Sequence, residues 1–235
     1  MKRVIFFCTV LCLLWSPVWA GSTATSGSTA SDFVTDLRND LNEDSAGFWS
    51  SDDLLQWLDE AVWEVVARTG CLESGTSTIV LKENVRRYSV VNDFLYLHTV
   101  EYDSGDTTSA SQIYTLDRVD KRDIGHNQQT GPPKIYCVWA NNLEVWPIPR
   151  NAQSGTSLYV YPVDVPSGVT ATTSTIETPA YFDTALKYFV KARAMEKDSR
   201  LEEAEKYMSR FDAMVEMYFR TVTKRGIEQI NAENR

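Results

Sequence analysis

Histidine is scarce in this 235-residue chain, with His98 and His126 as its only imidazoles. His98 stands in a strand-like run six residues before Ser104, but the glycines that would present a nucleophilic serine are missing there. Asp103-Ser104-Gly105-Asp106 is a run of turn-forming residues, and a reverse turn accounts for it. His126, between Gly125 and Asn127, reads as a solvated loop residue. The acidic pairs Asp52/Asp53 and Glu202/Glu203 are adjacent in sequence, so their carboxylates point to different sides of a helix and cannot flank one substrate. Neither a glycine-rich phosphate loop nor HExxH is present. These absences exclude the common catalytic, cofactor-binding and metal-binding constellations.

Cysteine is equally sparse. Cys8 and Cys12 fall in an N-terminal apolar run, leaving Cys71 and Cys137 without a CxxC spacing or a zinc signature. They read as two buried thiols, or as one disulfide if the protein is exported. Positive charge is in deficit too, with 23 Lys/Arg against 32 Asp/Glu and a net charge of −9. That balance argues against a grip on nucleic acid through phosphate neutralisation. It does not exclude DNA passing close by, since an acidic surface repels phosphate without holding it.

The one long hydrophobic run is Val4–Trp15, preceded by Lys2 and Arg3 and followed by Val18-Trp19-Ala20. It is short for a membrane span and has the layout of a secretory signal, with cleavage expected after Ala20. Losing Lys2 and Arg3 would take the net charge from −9 to −11. Residues 21–31, GSTATSGSTAS, read as a flexible linker. The expected organisation is a leader over 1–20, this linker, an α+β body over 32–225 and a flexible polar tail over 226–235. At 43% hydrophobic and 11% aromatic, the body can bury a substantial core, and no stable membrane association is expected of it.

The strongest strand signal runs from Gly131 to Pro149. Gly131-Pro132-Pro133 delays the first strand to about Lys134, Ile135 to Trp139 alternate at period two, and Ala140-Asn141-Asn142 supplies a reversal. Leu143, Val145 and Ile148 resume the apolar face, and Pro147 and Pro149 blunt the exit. Helices are expected before and after. Asp32 is placed to cap a first helix carrying Phe33, Leu37 and Leu41. A second starts at Ser51-Asp52-Asp53, stops at Gly70, and carries an apolar stripe from Leu54 to Val66. Between Gly70 and the hairpin, 77–81, 85–91, 94–102 and 112–116 read as short strands, and 118–124 as a helical turn. Ser157–Val163 forms a last strand, and Pro162 near its end, Pro166 and a threonine-rich run carry the chain away from the sheet. Thr178-Pro179 opens long closing helices, with Pro179 pre-set for the first turn. From Tyr181 onward there are eleven Lys/Arg against ten Asp/Glu, so the excess acid lies upstream.

Several phrases, in order, resemble the head-to-tail adaptor proteins of tailed bacteriophages, which include tail tubular protein A and related connector rings. They are Leu37-Arg38-Asn39-Asp40-Leu41-Asn42, then Phe48-Trp49-Ser50-Ser51-Asp52-Asp53-Leu54-Leu55-Gln56-Trp57-Leu58-Asp59-Glu60-Ala61. Gly131-Pro132-Pro133 with Tyr136, Leu143-Glu144-Val145-Trp146-Pro147-Ile148-Pro149, Leu158-Tyr159-Val160-Tyr161 and Thr178-Pro179-Ala180-Tyr181-Phe182-Asp183 follow. The resemblance implies a non-enzymatic ring subunit of twelve copies without cofactor, seated between a portal and a tail nozzle around exiting DNA. It implies a virion location at the head–tail interface, with assembly in the host cytoplasm, and a C-terminal segment, here Tyr207–Arg235, that embraces the portal. Trp139 and Trp146 on the hairpin and Tyr207, Phe211, Tyr218, Arg220, Lys224 and Arg225 on the closing helix are the candidate interface residues. The leader departs from this pattern, because an exported adaptor could not join a capsid; initiation at Val34 would reconcile the two. If the leader is translated and cleaved, the competing expectation is a secreted or periplasmic β-rich binding module using Trp49, Trp57, Trp63, Trp139 and Trp146 as a stacking surface.

Overall fold

A computed structural model describes residues 27–43, 47–90, 93–105, 112–124 and 129–233, with side chains as far as residue 220. The expected leader lies outside the described residues, as does most of the expected linker. Helices α1 (Ala30–Asp40) and α2 (Ser51–Thr69) come first, and α3 (Asp183–Lys197) and α4 (Leu201–Glu233) come last. Between them lie β1 (Ser77–Val80), β2 (Arg87–Ser89), β3 (Phe94–Asp103), β4 (Ile113–Thr115), β5 (Asp117–Arg118), β6 (Ile135–Trp139), β7 (Asn142–Trp146) and β8 (Ser157–Asp164). The class is α+β.

Both leading helices start on a reciprocal capping box, one residue or more ahead of the sequence expectation. Thr29, not Asp32, caps α1; Asp32 sits three residues on and returns a bond to the Thr29 backbone. Ser50, not Ser51, caps α2, with Asp53 in the returning role. In each case the hydroxyl takes one orphan N–H and the carboxylate takes another, so Ser/Thr and Asp three apart outcompete either residue alone. The last residues of the expected linker are therefore structural. Ala30 is buried, and Thr29–Ser31 is laced to the 172–176 loop by backbone hydrogen bonds. Val34 is itself buried on α1, so a chain beginning there would lack both the cap and Phe33.

The α2 terminator follows the sequence. Gly70 adopts φ 64°, and a Cβ at that point would fall 2.1 Å from the Tyr96 hydroxyl. The expected stripe Leu54, Leu55, Leu58, Ala61, Val62, Val65 and Val66 is buried in full. It packs with Phe33 and Leu37 of α1, Leu186, Phe189 and Val190 of α3, and Phe211 and Val215 of α4. At roughly 1.5–3 kcal/mol per large apolar side chain, this helical core is the main source of stability.

The strands form two four-stranded sheets rather than one meander, in the orders β1-β8-β3-β4 and β2-β7-β6-β5. β8 lies between β1 and β3, antiparallel to both, and Pro162 is part of it rather than a departure from it. A register shift beside Pro162, between Leu97 and Thr99, accommodates the missing donor. Where a helical turn is expected over 118–124, Asp117 and Arg118 instead pair parallel with Ile135 and Tyr136, and a turn follows over 121–123. A second core fills the space between the sheets, built from Leu97, Val100, Tyr102, Tyr136, Leu143, Val145, Leu158 and Val160 among others. Val163, Leu95 and Tyr96, at one end of the β3–β8 pair, pack instead into the helical core.

At the C-terminal end Pro179 precedes a 3₁₀ turn (Ala180–Phe182), and α3 begins only at Asp183. A turn at Asp198–Arg200, with Ser199 at φ 61°, reverses the chain into α4. α4 then continues through Gly226 to Glu233, so the backbone of most of the expected flexible tail is helical.

Candidate functional site

The β6–β7 hairpin closes through Ala140 and Asn141, both at positive φ (49° and 56°), with the Asn142 amide donating to the Ala140 carbonyl. A two-residue loop of this kind matches the strand twist. Its register places Cys137 opposite Glu144, Trp139 opposite Asn142 and Ile135 opposite Trp146. Tyr136, Leu143 and Val145 face the inter-sheet core, which leaves Cys137, Trp139, Glu144 and Trp146 on the other side.

That other face carries a buried charge at its centre. Glu144 is only 1% exposed and is encircled by cations. The Arg87 guanidinium donates to Oε1 from Nε at 2.9 Å and Nη2 at 2.7 Å, and Lys121 Nζ donates to Oε2. Arg86 Nε lies 3.5 Å from Oε2, while Arg86 Nε and Nη2 have no hydrogen-bond acceptor among the described residues. Burial pushes the Glu144 pKa up, but the hydrogen bonds from Lys121 and Arg87 outweigh it, so the group lies below the usual glutamate range. The carboxylate ties β2, β7 and the 121 turn to one point. The sequence signal was present, since an acid at the centre of Leu143-Glu144-Val145-Trp146 must meet a cation if buried, and Arg86-Arg87 lie upstream.

Trp139 stands at the hairpin tip, 60% exposed, while Trp146 is half-buried with its indole N–H unpaired among the described residues. The other tryptophans do not join them. Trp49 is buried, its Nε1 donating to the Ala194 carbonyl; Trp57 packs against the helical core; Trp63 is partly exposed on α2. A five-tryptophan stacking surface is therefore not assembled, because three of the five belong to the helical layer or its flank.

The closing helices carry a ladder of rings. Tyr188 stacks on Tyr207 at 6.1 Å and Phe189 meets Phe211 edge-on at 5.2 Å. Phe182 meets Tyr218 at 5.5 Å. Lys191 and Arg210 each lie within about 6 Å of both Tyr188 and Tyr207. Among the candidate interface residues, Phe211 is thus a core residue, fully buried because its face of α4 meets α2 and α3. Tyr207 and Tyr218 are half-buried in the same ladder. Arg220 is exposed and pairs with Glu216 at 2.5 Å. Lys224 and Arg225 lie on the α4 backbone, and their side chains are outside the described residues.

Ser104 and His98 share no hydrogen bond among the described residues, and Asp103 Oδ1 accepts the Gly105 N–H as a turn requires. His126 lies outside the described residues. Among those residues no group of three His, Cys, Asp or Glu side chains is placed to hold a metal. No described helix is long and apolar enough to cross a membrane. Cys71 and Cys137 are free thiols, Cys71 beside the helical core and Cys137 on the hairpin, and burial raises the pKa of both.

Among the described residues the carboxylates of Asp32 and Asp53 serve helix caps and that of Glu144 serves ion pairs, and the two most exposed large apolar side chains are Leu201, where α4 begins, and Trp139 at the hairpin tip. The family model for the SU10 adaptor protein matches residues 28–231, and the chain belongs to that family of phage structural adaptors. The match begins one residue before the α1 cap and ends inside α4. No curated protein matches the chain significantly.

Proposed function

We propose that this chain is a ring-forming subunit that joins a phage portal to the tail and surrounds the path of exiting DNA, in the manner of tail tubular protein A-like rings of twelve copies. The α3–α4 hairpin carries the reading. α3 has 15 residues and α4 has 33, so α4 outruns its partner by about 27 Å at 1.5 Å per residue. The ring ladder from Tyr207 to Tyr218 anchors the first half of α4 to the body, and the helix continues for fifteen residues beyond Tyr218, which is the segment we assign to the portal. The net charge of −9 supports the duct, because DNA slides past an acidic wall without adhering. The chain works by shape, with no chemical step.

The test is co-expression with the cognate portal, followed by electron microscopy of the purified complex. The reading expects a ring of this chain under the portal, lost when α4 is cut after Tyr218. Portal particles that carry no density for this chain contradict it.

A further inference from the structure

Beside the hairpin tip, Arg118, Val119, Asp120, Lys121 and Arg122 wall a cleft of about 650 Å³ that Val138 and Trp139 close on the other side. Its cations are unequal. Lys121 is committed to the buried Glu144. Arg118 is exposed and has no ion pair among the described residues, and Arg122, 93% exposed, reaches Asp120 only at 3.9 Å. Two available guanidinium groups therefore flank an exposed indole on a chain whose net charge is −9. Such a surface fits carboxylates accompanied by a large apolar side chain: the acids take the guanidinium donors, and the apolar group takes the indole. A duplex phosphate backbone would engage the guanidinium groups but offers the indole no apolar side chain, and the exposed Asp117, Asp120 and Asp123 limit the cleft to a few acids rather than a run of phosphates.

The chain itself carries the complement. Leu201, at the corner where α4 begins, is 63% exposed, the highest value among the large apolar side chains described. Glu202 and Glu205 beside it are exposed and have no ion pair among the described residues. Spacings of three and four bring Leu201, Glu202 and Glu205 to one side of the first helical turns. We infer that the Arg118–Arg122–Trp139 cleft of one copy receives the Leu201–Glu202–Glu205 corner of the next. The cleft belongs to the β2-β7-β6-β5 sheet and the corner to the helical layer, so the contact joins unlike surfaces and propagates from copy to copy, as a ring requires. The inference rests on the ring reading and specifies its subunit contact.

Sedimentation velocity of the full chain over a range of concentrations tests it, with circular dichroism to confirm folding. The wild type self-associates. Arg118→Glu with Arg122→Glu weakens association at least ten-fold, as does Glu202→Lys with Glu205→Lys, and all four changes in one chain restore it. Trp139→Ala weakens it without altering the fold. Unchanged association in either double variant overturns the contact, as does a wild type that stays monomeric at every concentration. Loss of DNA binding by the arginine variant with association intact also overturns it, assigning the cleft to nucleic acid instead. Portal-bound rings that form normally from the double variants would leave the ring reading standing while this contact fails.

Discussion

Arg87 and Glu144 face one another across β2 and β7, and the guanidinium places Nε and Nη2 at 2.9 and 2.7 Å from the same carboxylate oxygen. The two partners differ sharply in environment, since Arg87 is 61% exposed at its side chain and Glu144 is 2%. Removing the acid therefore costs more than removing the base. Glu144→Gln strands Lys121 and Arg86 beside a neutral amide and should lower unfolding stability by about 2–3 kcal/mol. Arg87→Ala leaves Lys121 in place and should cost about 1 kcal/mol. Urea unfolding of the two variants checks the order, and an equal loss in both would contradict it.

Asp53 links the α2 cap to α3. Its carboxylate accepts from Lys197 Nζ at 2.7 Å and from the Ser50 hydroxyl at 2.6 Å, and these bonds, Lys197 first, hold its pKa at about 2. A folded-state value below the ordinary 3.8 means that the contribution is fully present above about pH 5 and is lost as pH falls toward 2. Lys197→Met should raise the Asp53 pKa measured by NMR toward its ordinary value, and should flatten the fall of thermal midpoint between pH 5 and 2. An unchanged pKa would show that Lys197 does not hold it.

Gly70→Ala should destabilise by about 1–2 kcal/mol, combining a left-handed backbone at φ 64° with the collision at Tyr96. Adding Tyr96→Phe, which removes the hydroxyl but leaves the ring carbon 3.2 Å from the new Cβ, should recover most of the steric part and leave the conformational part. A double variant no better than the single one would place the whole cost in the backbone.

Starting the chain at Val34 removes Thr29, Ala30, Asp32 and Phe33. Phe33→Ala alone should cost about 3–5 kcal/mol as a buried aromatic truncation, and Thr29→Ala about 1 kcal/mol as a lost cap. The Val34 variant should therefore be several kcal/mol less stable than one starting at Ser28, as read by thermal unfolding. Equal stability of the two would contradict the role assigned to the first turn of α1.

The helical layer was legible in the sequence because its signals are local. The seven-residue stripe of α2, the glycine after it and the paired Ser/Thr and Asp all act within a turn or two of themselves; the caps moved by one to three residues, α3 starts later than Pro179, and α4 runs on through most of the expected tail. The hairpin was legible for the same reason, through period-two alternation and two asparagines. The sheet order was not, because β8 is about 60 residues from its partner β3 and no local pattern records which edges it joins. The role of Glu144 is not legible locally, since its cations come from residues 23 and 57 positions away. Phe211 was read as an interface residue because a helix stripe states that a side is apolar without stating what covers it; α2 and α3 cover it. Trp139 alternates in register with Cys137, yet one is exposed and the other buried, a difference set by the turn over 121–123 folding across only part of the face.

Cryo-electron microscopy of the chain bound to its portal examines the adaptor role most directly. The account predicts a closed ring of subunits on one rotational axis with the portal, α4 reaching the portal and an open central channel. A portal complex in which this chain is absent, or is bound as isolated monomers without a ring, would contradict it.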